Sequence, residues 1–363
     1  MGNMIGSFLV FIGTYTSDGS KGIYVYRFEP DSGHLIFTGQ TATEKNPSFV
    51  VPSADGRTLY SVSETSTFDG KKTGAVSAWR IDRTKATLTF LNRQPSGGRG
   101  PCHLSVTADG RYLAAANYGA GSVSLLPIDK DGSLLPGHSV QHEGNGPTRR
   151  QKGPHAHSIT PDPKTGQLFA ADLGLDQVRL YDIADGKLRS AQPAALKLPA
   201  GAGPRHLDFH PNGRWLYVIN ELDSTLTQFA RRDENAPFEL VETVTTLPAG
   251  FAGDDNTCAD IHIHPNGQFL FGSNRGHDSI VSYRIDPGNG KLTLVGHTSS
   301  GGKQPRNFAL DPTGRFLYAA HQRSGNVVGF RVDPKTGKVT PLGFELKIPT
   351  PVCVRFLAPK EAR

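Results

Sequence analysis

The 363-residue sequence lacks the patterns that long helices require. No apolar run approaches the roughly 18 residues that a membrane-spanning helix needs. No long stretch carries apolar residues at helical spacing either. The sequence therefore predicts neither a membrane partner nor a mainly helical fold.

Cysteine is scarce, and its spacing does not suggest disulfides. Cys102, Cys258 and Cys353 are an odd number of residues, far apart in the chain. Such a pattern fits a reducing compartment, so we expect a cytoplasmic protein. The stretch from Met1 to Tyr15 has no positively charged leader and no clear cleavage site, and we expect it to start the fold rather than to serve as a secretory signal.

Basic residues are in excess, but they do not form a block. The chain has 39 Lys and Arg against 33 Asp and Glu, a formal net charge of +6 and a pI near 9.2. Because no Lys/Arg run alternates with aromatic residues, we predict no nucleic-acid partner. The alternative is local, with cations gathered to hold a small anion.

Glycine and proline are plentiful and evenly spread, with 42 and 26 residues. This predicts many short elements joined by turns, and hence an all-β fold. Segments such as GPCHLSVTADGRYLAAANY, GPRHLDFHPNGRWLYVINE and QPRNFALDPTGRFLYAAHQ repeat one pattern of strand, Asp-Gly or Asn-Gly turn and strand. They begin at Asn46-Pro47, Gly100-Pro101, Gly153-Pro154, Gly203-Pro204, Thr257-Cys258 and Gln304-Pro305, and a seventh begins at Pro351.

The spacing of these segments predicts a seven-bladed β-propeller. Successive starts lie 46 to 54 residues apart, near the period of four-stranded blades. A second hairpin follows each of the first six, which gives four antiparallel strands per blade. The seventh copy ends early, and the strand from Phe8 to Tyr15 resembles its missing partner. We therefore predict that the two terminal strands pair and close the ring, and that residues 1–363 form one domain.

The repeats also predict where a site would lie. In each first hairpin, the residues farthest from the turn are neighbours, and the first strand of a blade lines the central channel. One mouth of the ring should therefore collect polar residues from many repeats. They are His103, His155, His206, Arg205, Arg275 and Arg306, together with Glu64 and Glu221. Arginines at equivalent positions repel one another unless an anion joins them, so we predict a small anionic ligand.

The roles of individual residues stay open at this point. Glu221 closes the strand that follows Arg205, and it is either a general base or a salt-bridge partner. His155 is the alternative base, because imidazole titrates near neutral pH. His157 lies two residues further on a predicted strand and should point the same way, and this pair suggests an oriented water more than a metal site.

A cysteine and a basic run also lie near the predicted site. Cys102 should face the channel, but its neighbour His103 should point to the opposite face, so a Cys–His nucleophile is not favoured. The basic run Arg149-Arg150-Gln151-Lys152 is interpreted as a solvated loop, although its position also permits a role in attracting an anion.

The sequence resembles the seven-bladed propeller 6-phosphogluconolactonase family, which includes carboxy-muconate lactonizing enzymes. The matching pieces are FIGTYTSDGSKGIYVYRF, GPHAHSITPD, GPRHLDFHPNGRWLYVINE, SNRGHDSIVSYRID and QPRNFALDPTGRFLYAAHQ. The resemblance implies a catalytic set of His155, Arg205, Glu221 and Arg275 and no organic cofactor. His103, His157, His206 and Arg306 are predicted to bind the substrate.

Three functions follow as hypotheses. The first is hydrolysis of a phosphorylated sugar lactone, with 6-phosphogluconolactone as the substrate that the family implies. The second is a lactone-forming cycloisomerase that acts on carboxylated, muconate-type dienes. The third is a non-catalytic propeller that binds a ligand or a protein, although the strand ends lack the Trp-Asp dipeptide of the common repeat scaffold.

Overall fold

A computed structural model describes residues 8–251 and 255–358. These residues form seven antiparallel sheets of four strands each, with a single-turn 3-10 helix at Arg149–Gln151. The predicted all-β, seven-bladed propeller is therefore confirmed. The expectation that Met1 to Tyr15 start the fold, rather than serve as a secretory signal, falls in part on Met1 to Ser7, which are outside the described residues. That residues 1–363 form one domain stays a prediction.

The strands follow the chain order in blades 2 to 7. Blade 2 holds β4 (Val50–Pro52), β5 (Thr58–Ser63), β6 (Ala75–Asp82) and β7 (Thr87–Pro95). Blade 3 holds β8 (Pro101–Val106), β9 (Tyr112–Asn117), β10 (Ser122–Pro127) and β11 (His138–Gln141). Blade 4 holds β12 (Ala156–Pro161), β13 (Leu168–Asp172), β14 (Gln177–Ala184) and β15 (Lys187–Lys197).

The next three blades repeat this order. Blade 5 holds β16 (Pro204–Phe209), β17 (Trp215–Asn220), β18 (Thr225–Ala230) and β19 (Glu239–Thr245). Blade 6 holds β20 (Thr257–Ile263), β21 (Phe269–Arg275), β22 (Ser279–Ile285) and β23 (Leu292–Ser299). Blade 7 holds β24 (Pro305–Leu310), β25 (Phe316–His321), β26 (Asn326–Val332) and β27 (Val339–Lys347).

Blade 1 combines the two ends of the chain. It holds β28 (Pro351–Leu357), β1 (Phe8–Thr14), β2 (Gly22–Glu29) and β3 (His34–Thr43), in that order. β28 pairs with β1 in antiparallel register, for example Ile12 with Val354. The predicted closure of the ring by the terminal strands is confirmed. Closure pairs β1 on both sides, with β2 and with β28, so β1 has no exposed edge that could pair with another chain.

The hydrophobic core lies between the blades. The large apolar side chains of one sheet pack against the next, as Phe271 of β21 does with Phe308 of β24 in one buried cluster. His210 and His264, which lie in the His-Pro-Asn-Gly turns of blades 5 and 6, connect neighbouring blades. The Nε2 of His210 donates to the carbonyl of Gly267, at 2.8 Å, and its Nδ1 accepts from the amide of Asn212. Apolar packing and these polar contacts fix each inner strand relative to its neighbours.

A β-bulge recurs near the start of the inner strands. The pairing skips Cys102 in β8, His157 in β12, Arg205 in β16 and Arg306 in β24. A bulged residue is left out of the ladder, and the bulge re-aims its side chain. These four residues therefore occupy equivalent positions at the mouth of the channel that lies opposite the hairpin turns.

The bulges also correct the alignment of the third repeat. Ala156 pairs with Asp172 as Pro204 pairs with Asn220, so His157 is the equivalent of Arg205. The predicted start at Gly153-Pro154, which put His155 in that position, was wrong by two residues. The error arose because the Gly-Pro dipeptide stands two residues further from the strand in this blade than in its neighbours.

Candidate active site

A buried carboxylate held by three arginines occupies the mouth of the channel. The Oε2 of Glu221 lies 3.0 Å from Nε of Arg205 and 2.9 Å from Nη2 of Arg275. Its Oε1 accepts a 2.9 Å hydrogen bond from Nη2 of Arg150. The Glu221 side chain is 6% exposed. The predicted convergence of Arg205, Glu221 and Arg275 in one pocket is confirmed.

Four different elements bring these groups together. Arg205 is the bulged residue of β16, Glu221 directly follows β17, and Arg275 ends β21. Arg150 comes from the 3-10 turn that precedes β12. That turn is anchored by Gln151, which is fully buried and donates to the Leu173 carbonyl and, at 2.6 Å, to a carboxylate oxygen of Asp176.

The interpretation of the basic run as a solvated loop is therefore wrong for two of its residues, the buried Gln151 and Arg150, which pairs with Glu221. Arg150 spans the cleft to Glu221 and also donates to the Tyr118 hydroxyl, at 3.1 Å. Arg149 and Lys152 are exposed, as a solvated loop requires. No repeat position indicates Arg150, because it lies in a connection between blades and has no equivalent in the other copies.

The charges of this cluster compensate one another. Burial alone would raise the pKa of Glu221, but Arg275, Arg205 and Arg150 outweigh it and lower that pKa to about 2. Burial, followed by repulsion from Arg275 and Arg306, lowers the pKa of Arg205 to about 10. All these groups are charged at neutral pH. Within the described part of the chain, Nε of Arg275 is buried and has no hydrogen-bond partner.

His155 lies beside this cluster in a defined orientation. Its Nδ1 donates to the Tyr118 carbonyl, at 3.0 Å, and its ring stacks on the Tyr118 ring at 4.6 Å between centroids. Its amide donates to Asp172, whose second oxygen lies 2.6 Å from Nδ1 of His142. Because Nδ1 carries the proton in this arrangement, Nε2 keeps a lone pair. His157 meets the same Tyr118 ring edge-on, so both histidines contact one residue, although His155 precedes β12 and does not share the strand with His157 as predicted.

His206 holds the Arg205 side chain in place through a hydrogen bond. Its Nδ1 donates to Asp260, at 2.7 Å, so Nε2 can accept from Nη1 of Arg205, at 3.2 Å. Burial and the charge of Arg205 lower the pKa of His206 to about 4. Asp260 also accepts from Asn307 and from the Phe308 amide. This geometry favours a positioning role for His206 over the predicted contact with substrate.

His103 lies deeper in the channel. It lines a cavity of about 400 Å³ at the opposite mouth, together with Asp208 and Arg355. Its Nδ1 accepts from the Ile159 amide, and its ring packs on Phe49 at 4.3 Å. Burial lowers the pKa of His103, as it does that of His157. These imidazoles are therefore neutral at neutral pH, and the cationic charge of the cleft comes from arginine.

Cys102 contacts a different histidine from the one considered in the sequence. Its Sγ lies 3.8 Å from Nδ1 of His157 and donates to the His157 carbonyl, at 3.3 Å. Burial raises the pKa of Cys102 to about 12. The thiol is therefore protonated at neutral pH and is not an activated nucleophile.

The other side of the cleft contains a second carboxylate. The Oε2 of Glu64 accepts hydrogen bonds from the Tyr15 hydroxyl, at 3.0 Å, and from the Ser48 hydroxyl. Burial raises the pKa of Tyr15, so its hydroxyl keeps its proton. The guanidinium of Arg306 lies over the Tyr15 ring, 5.6 Å from the centroid. Among the described residues, neither Glu64 nor Arg306 has an ion-pair partner within 4.0 Å.

The sequence could have indicated some of the residues that it missed. Tyr118 and Asp260 occupy repeat positions at the cleft, yet no role was predicted for either. Nothing in the repeats marks Tyr15 or Ser48 as partners of Glu64. In the described ranges, no group of three or more His, Cys, Asp and Glu residues is arranged to hold a metal ion. No helix found there has the length and apolar content to cross a bilayer.

Comparisons with known proteins agree on one family. A family model described as "Lactonase, 7-bladed beta-propeller" matches residues 9–356. A 6-phosphogluconolactonase of Bacillus subtilis is 36% identical over 351 residues, which cover 96% of this chain and 98% of that protein. A 6-phosphogluconolactonase of Formosa agariphila is 35% identical over 310 residues, with 83% and 86% covered.

A solved structure extends this likeness to three dimensions. The periplasmic gluconolactonase of Pseudomonas aeruginosa superimposes with a TM-score of 0.91 at 34% identity. The match covers 97% of this chain and 99% of that one. The chemistry of these relatives is therefore relevant to the cleft of this chain.

Proposed function

Because the chain belongs to the seven-bladed β-propeller lactonase family, we propose that it hydrolyses a sugar lactone, with 6-phosphogluconolactone as the substrate. The observation that carries this proposal is the cleft itself. Arg205 and Arg275 are fixed by the buried Glu221, and His155 stacks on Tyr118, whose hydroxyl accepts from Arg150 of the same cluster. Lactone hydrolysis needs both an electrophilic oxyanion site and a proton acceptor for water.

The reaction can be written on these groups. Nε2 of His155 takes a proton from water as the water oxygen bonds to the lactone carbonyl carbon. The carbonyl oxygen becomes an oxyanion, which N–H groups of Arg205 and Arg275 stabilise. Collapse of the tetrahedral intermediate breaks the ring C–O bond, and the imidazolium returns the proton to the departing ring oxygen. The products are an acid and a free hydroxyl, and no cofactor takes part.

Glu221 is proposed as the anchor of this oxyanion site. Three arginines occupy its oxygens and lower its pKa to about 2, which makes the carboxylate a weak base at neutral pH. The same contacts hold the guanidinium groups of Arg205 and Arg275 in place before substrate arrives. Preorganised charges stabilise a transition state without the cost of reorganisation. Of the two candidate bases, His155 is therefore preferred.

The phosphate of the substrate needs a cation that no carboxylate neutralises. Arg205 and Arg275 share Glu221, whereas Arg306 has no ion-pair partner among the residues described here. Arg306 lies over the ring of Tyr15, whose hydroxyl donates to Glu64, and it occupies the bulge position equivalent to that of Arg205. We therefore assign the phosphate to Arg306, which the sequence predicts to bind the substrate.

The test is turnover of 6-phosphogluconolactone by the purified protein, with spontaneous hydrolysis subtracted. We expect a rate well above that background, and a loss of at least hundredfold in Arg275→Ala. Product analysis with a muconate-type diene should give no lactone. A rate equal to background for all sugar lactones would refute the proposal, and lactone formation from the diene would support the cycloisomerase.

The compartment is part of the proposal. The three cysteines are free and buried, which agrees with the cytoplasmic location expected from the sequence. The similar protein of Pseudomonas aeruginosa is described as periplasmic, so the likeness to it favours the other compartment. Cell fractionation of the full chain decides between the two compartments.

A further inference from the structure

We propose that Glu64 is a specificity-determining residue, and that its free carboxylate oxygen accepts hydrogen bonds from the ring hydroxyls of a polyhydroxylated lactone. This inference rests on the proposed function and deepens it, because it selects hydroxylated sugar lactones over carboxylated ones. It concerns the side of the cleft that lies opposite the Glu221 cluster.

The orientation of Glu64 is fixed by its neighbours. The Tyr15 and Ser48 hydroxyls both donate to Oε2. The Glu64 backbone is held as well, because its amide donates to the Asn46 carbonyl at 3.1 Å and its carbonyl accepts from the Asn46 side chain at 3.3 Å. Within the described residues Oε1 has no partner, although the side chain is only partly exposed. One oxygen is thus anchored, and the other is left for a ligand.

The location of Glu64 places it in the substrate cleft. Its partner Tyr15 lies under the guanidinium of Arg306, and Arg306 occupies the bulge position equivalent to that of Arg205. Glu64 therefore shares the channel mouth with the cluster that we assign to catalysis. A ligand that reaches Arg306 with its phosphate has its hydroxyls near Glu64.

The chemistry of this pair matches one substrate class. A carboxylate oxygen that no cation neutralises is a strong acceptor, and sugar hydroxyls are donors. A muconate-type lactone has no ring hydroxyls to offer, so the free oxygen of Glu64 would stay without a donor in its complex. A site that is built to bond a hydroxyl discriminates strongly against an analogue without it, because the acceptor is then left unpaired.

The test compares two uncharged lactones that differ in hydroxyl groups. For δ-gluconolactone, Glu64→Gln should raise KM by about ten- to hundredfold, the range for one hydrogen bond to a charged group, with kcat nearly unchanged. For δ-valerolactone, which has no hydroxyls, both constants should stay within about twofold. Equal loss of kcat for both lactones would make Glu64 a catalytic base and overturn the proposal, as would no change for either lactone.

A binding measurement separates this inference from the proposed function. Sorbitol 6-phosphate has hydroxyls and a phosphate but no bond to hydrolyse, so its affinity does not depend on turnover. By calorimetry, Glu64→Gln should weaken its binding but not that of inorganic phosphate, since loss of a negative charge near Arg306 does not disfavour an anion there. Equal affinity in wild type and variant, or no binding to wild type, would contradict the hydroxyl subsite even if lactones are hydrolysed.

Matched controls exclude a general effect of losing a carboxylate. Glu29 also accepts from a serine hydroxyl, that of Ser32, but it is exposed in the outer hairpin of blade 1. Glu29→Gln should leave all the constants unchanged. Ser48→Ala keeps the Glu64 charge but removes one of its anchors, and we expect a smaller rise in KM for δ-gluconolactone than in Glu64→Gln. Thermal unfolding of each variant checks that the ring is intact.

Discussion

Two carboxylates face the same channel mouth in different environments. Glu221 is 6% exposed and shared by Arg150, Arg205 and Arg275. Glu64 is partly exposed and accepts from two hydroxyl groups, with no cation in ion-pair contact in the described part of the chain. The first is neutralised by the protein itself. The second keeps an oxygen for a ligand, so environment rather than residue type separates their roles.

The strongest test of this difference removes the neutralised carboxylate. Glu221→Gln leaves three arginines close together without their shared anion, and breaking a buried pair costs about 3–5 kcal/mol. We expect the free energy of unfolding to fall by this amount and kcat/KM to fall by about a thousandfold or more. Denaturant unfolding and lactone turnover measure the two effects.

A buried ion pair far from the cleft serves as the control. Asp162 and Arg231 are joined at 2.6 Å and are both almost fully buried. Asp162→Asn should destabilise the ring similarly, while the folded enzyme keeps its kcat/KM. If Glu221→Gln lowered stability but kept kcat/KM, as expected for Asp162→Asn, the role of Glu221 would be structural only. The environments of Glu221 and Glu64 would then not reflect different roles in the reaction.

The next largest effect concerns the proposed base. His155→Gln preserves a side chain that can contact Tyr118 but removes the proton acceptor, and loss of a general base costs about 10²–10⁴-fold in rate. The fall should appear in kcat and be equal for δ-gluconolactone and δ-valerolactone, unlike the effect of Glu64→Gln. The control His210→Gln alters a turn histidine of blade 5 and should not change kcat. An unchanged kcat in His155→Gln would return the role of base to one of the carboxylates.

The sequence predicted the ring and the centre of the cleft because both follow from a repeat. Equivalent positions in a propeller converge, so the approach of Arg205, Glu221 and Arg275 could be inferred from spacing alone. The register of the third repeat could not, since its Gly-Pro dipeptide stands two residues further from the strand than in the neighbouring blades. Arg150 was beyond this reasoning as well, because its loop has no counterpart among the repeats.

The difference in charge state could not be predicted from the pattern either. Burial lowers the pKa of His103, His157 and His206, so these imidazoles are neutral. This holds although the position of His157 is equivalent to that of Arg205 in another repeat. Desolvation depends on packing between blades, which the periodicity of the sequence does not specify. The same holds for Glu64, whose hydroxyl partners come from two separate segments.

The buried imidazoles predict how stability depends on pH. The pKa of His206 falls from 6.5 to about 4 on folding, so the unfolded chain binds its proton more readily. Stability is then lost as pH decreases from 6.5 towards 4, by about 2 kcal/mol at pH 5 for this group. His103 and His157 act in the same direction. Glu221 affects the pH dependence of stability only below its unfolded pKa of 4.5. Its stabilisation is complete above that pH and is lost as pH falls towards 2.

Denaturant titrations at pH 7 and pH 5 measure this dependence. In His206→Asn the loss of stability between the two pH values should be smaller by the share of one histidine. Glu221→Gln should leave the loss in this window as it is. A wild-type protein that is equally stable at pH 7 and pH 5 would contradict the assignment of neutral imidazoles.

The smallest expected effect lies at the exposed edge of the Glu221 cluster. Arg150 is 52% exposed, and partly solvated ion pairs contribute little and are screened by salt. Arg150→Ala should lower kcat/KM about threefold to tenfold at low ionic strength, and less at high salt. Arg149→Ala, in the same turn but exposed to solvent, should have no effect. A loss as large as that in Glu221→Gln would mean that Arg150 contacts the reacting atoms, and that the third arginine is part of the oxyanion site rather than its rim.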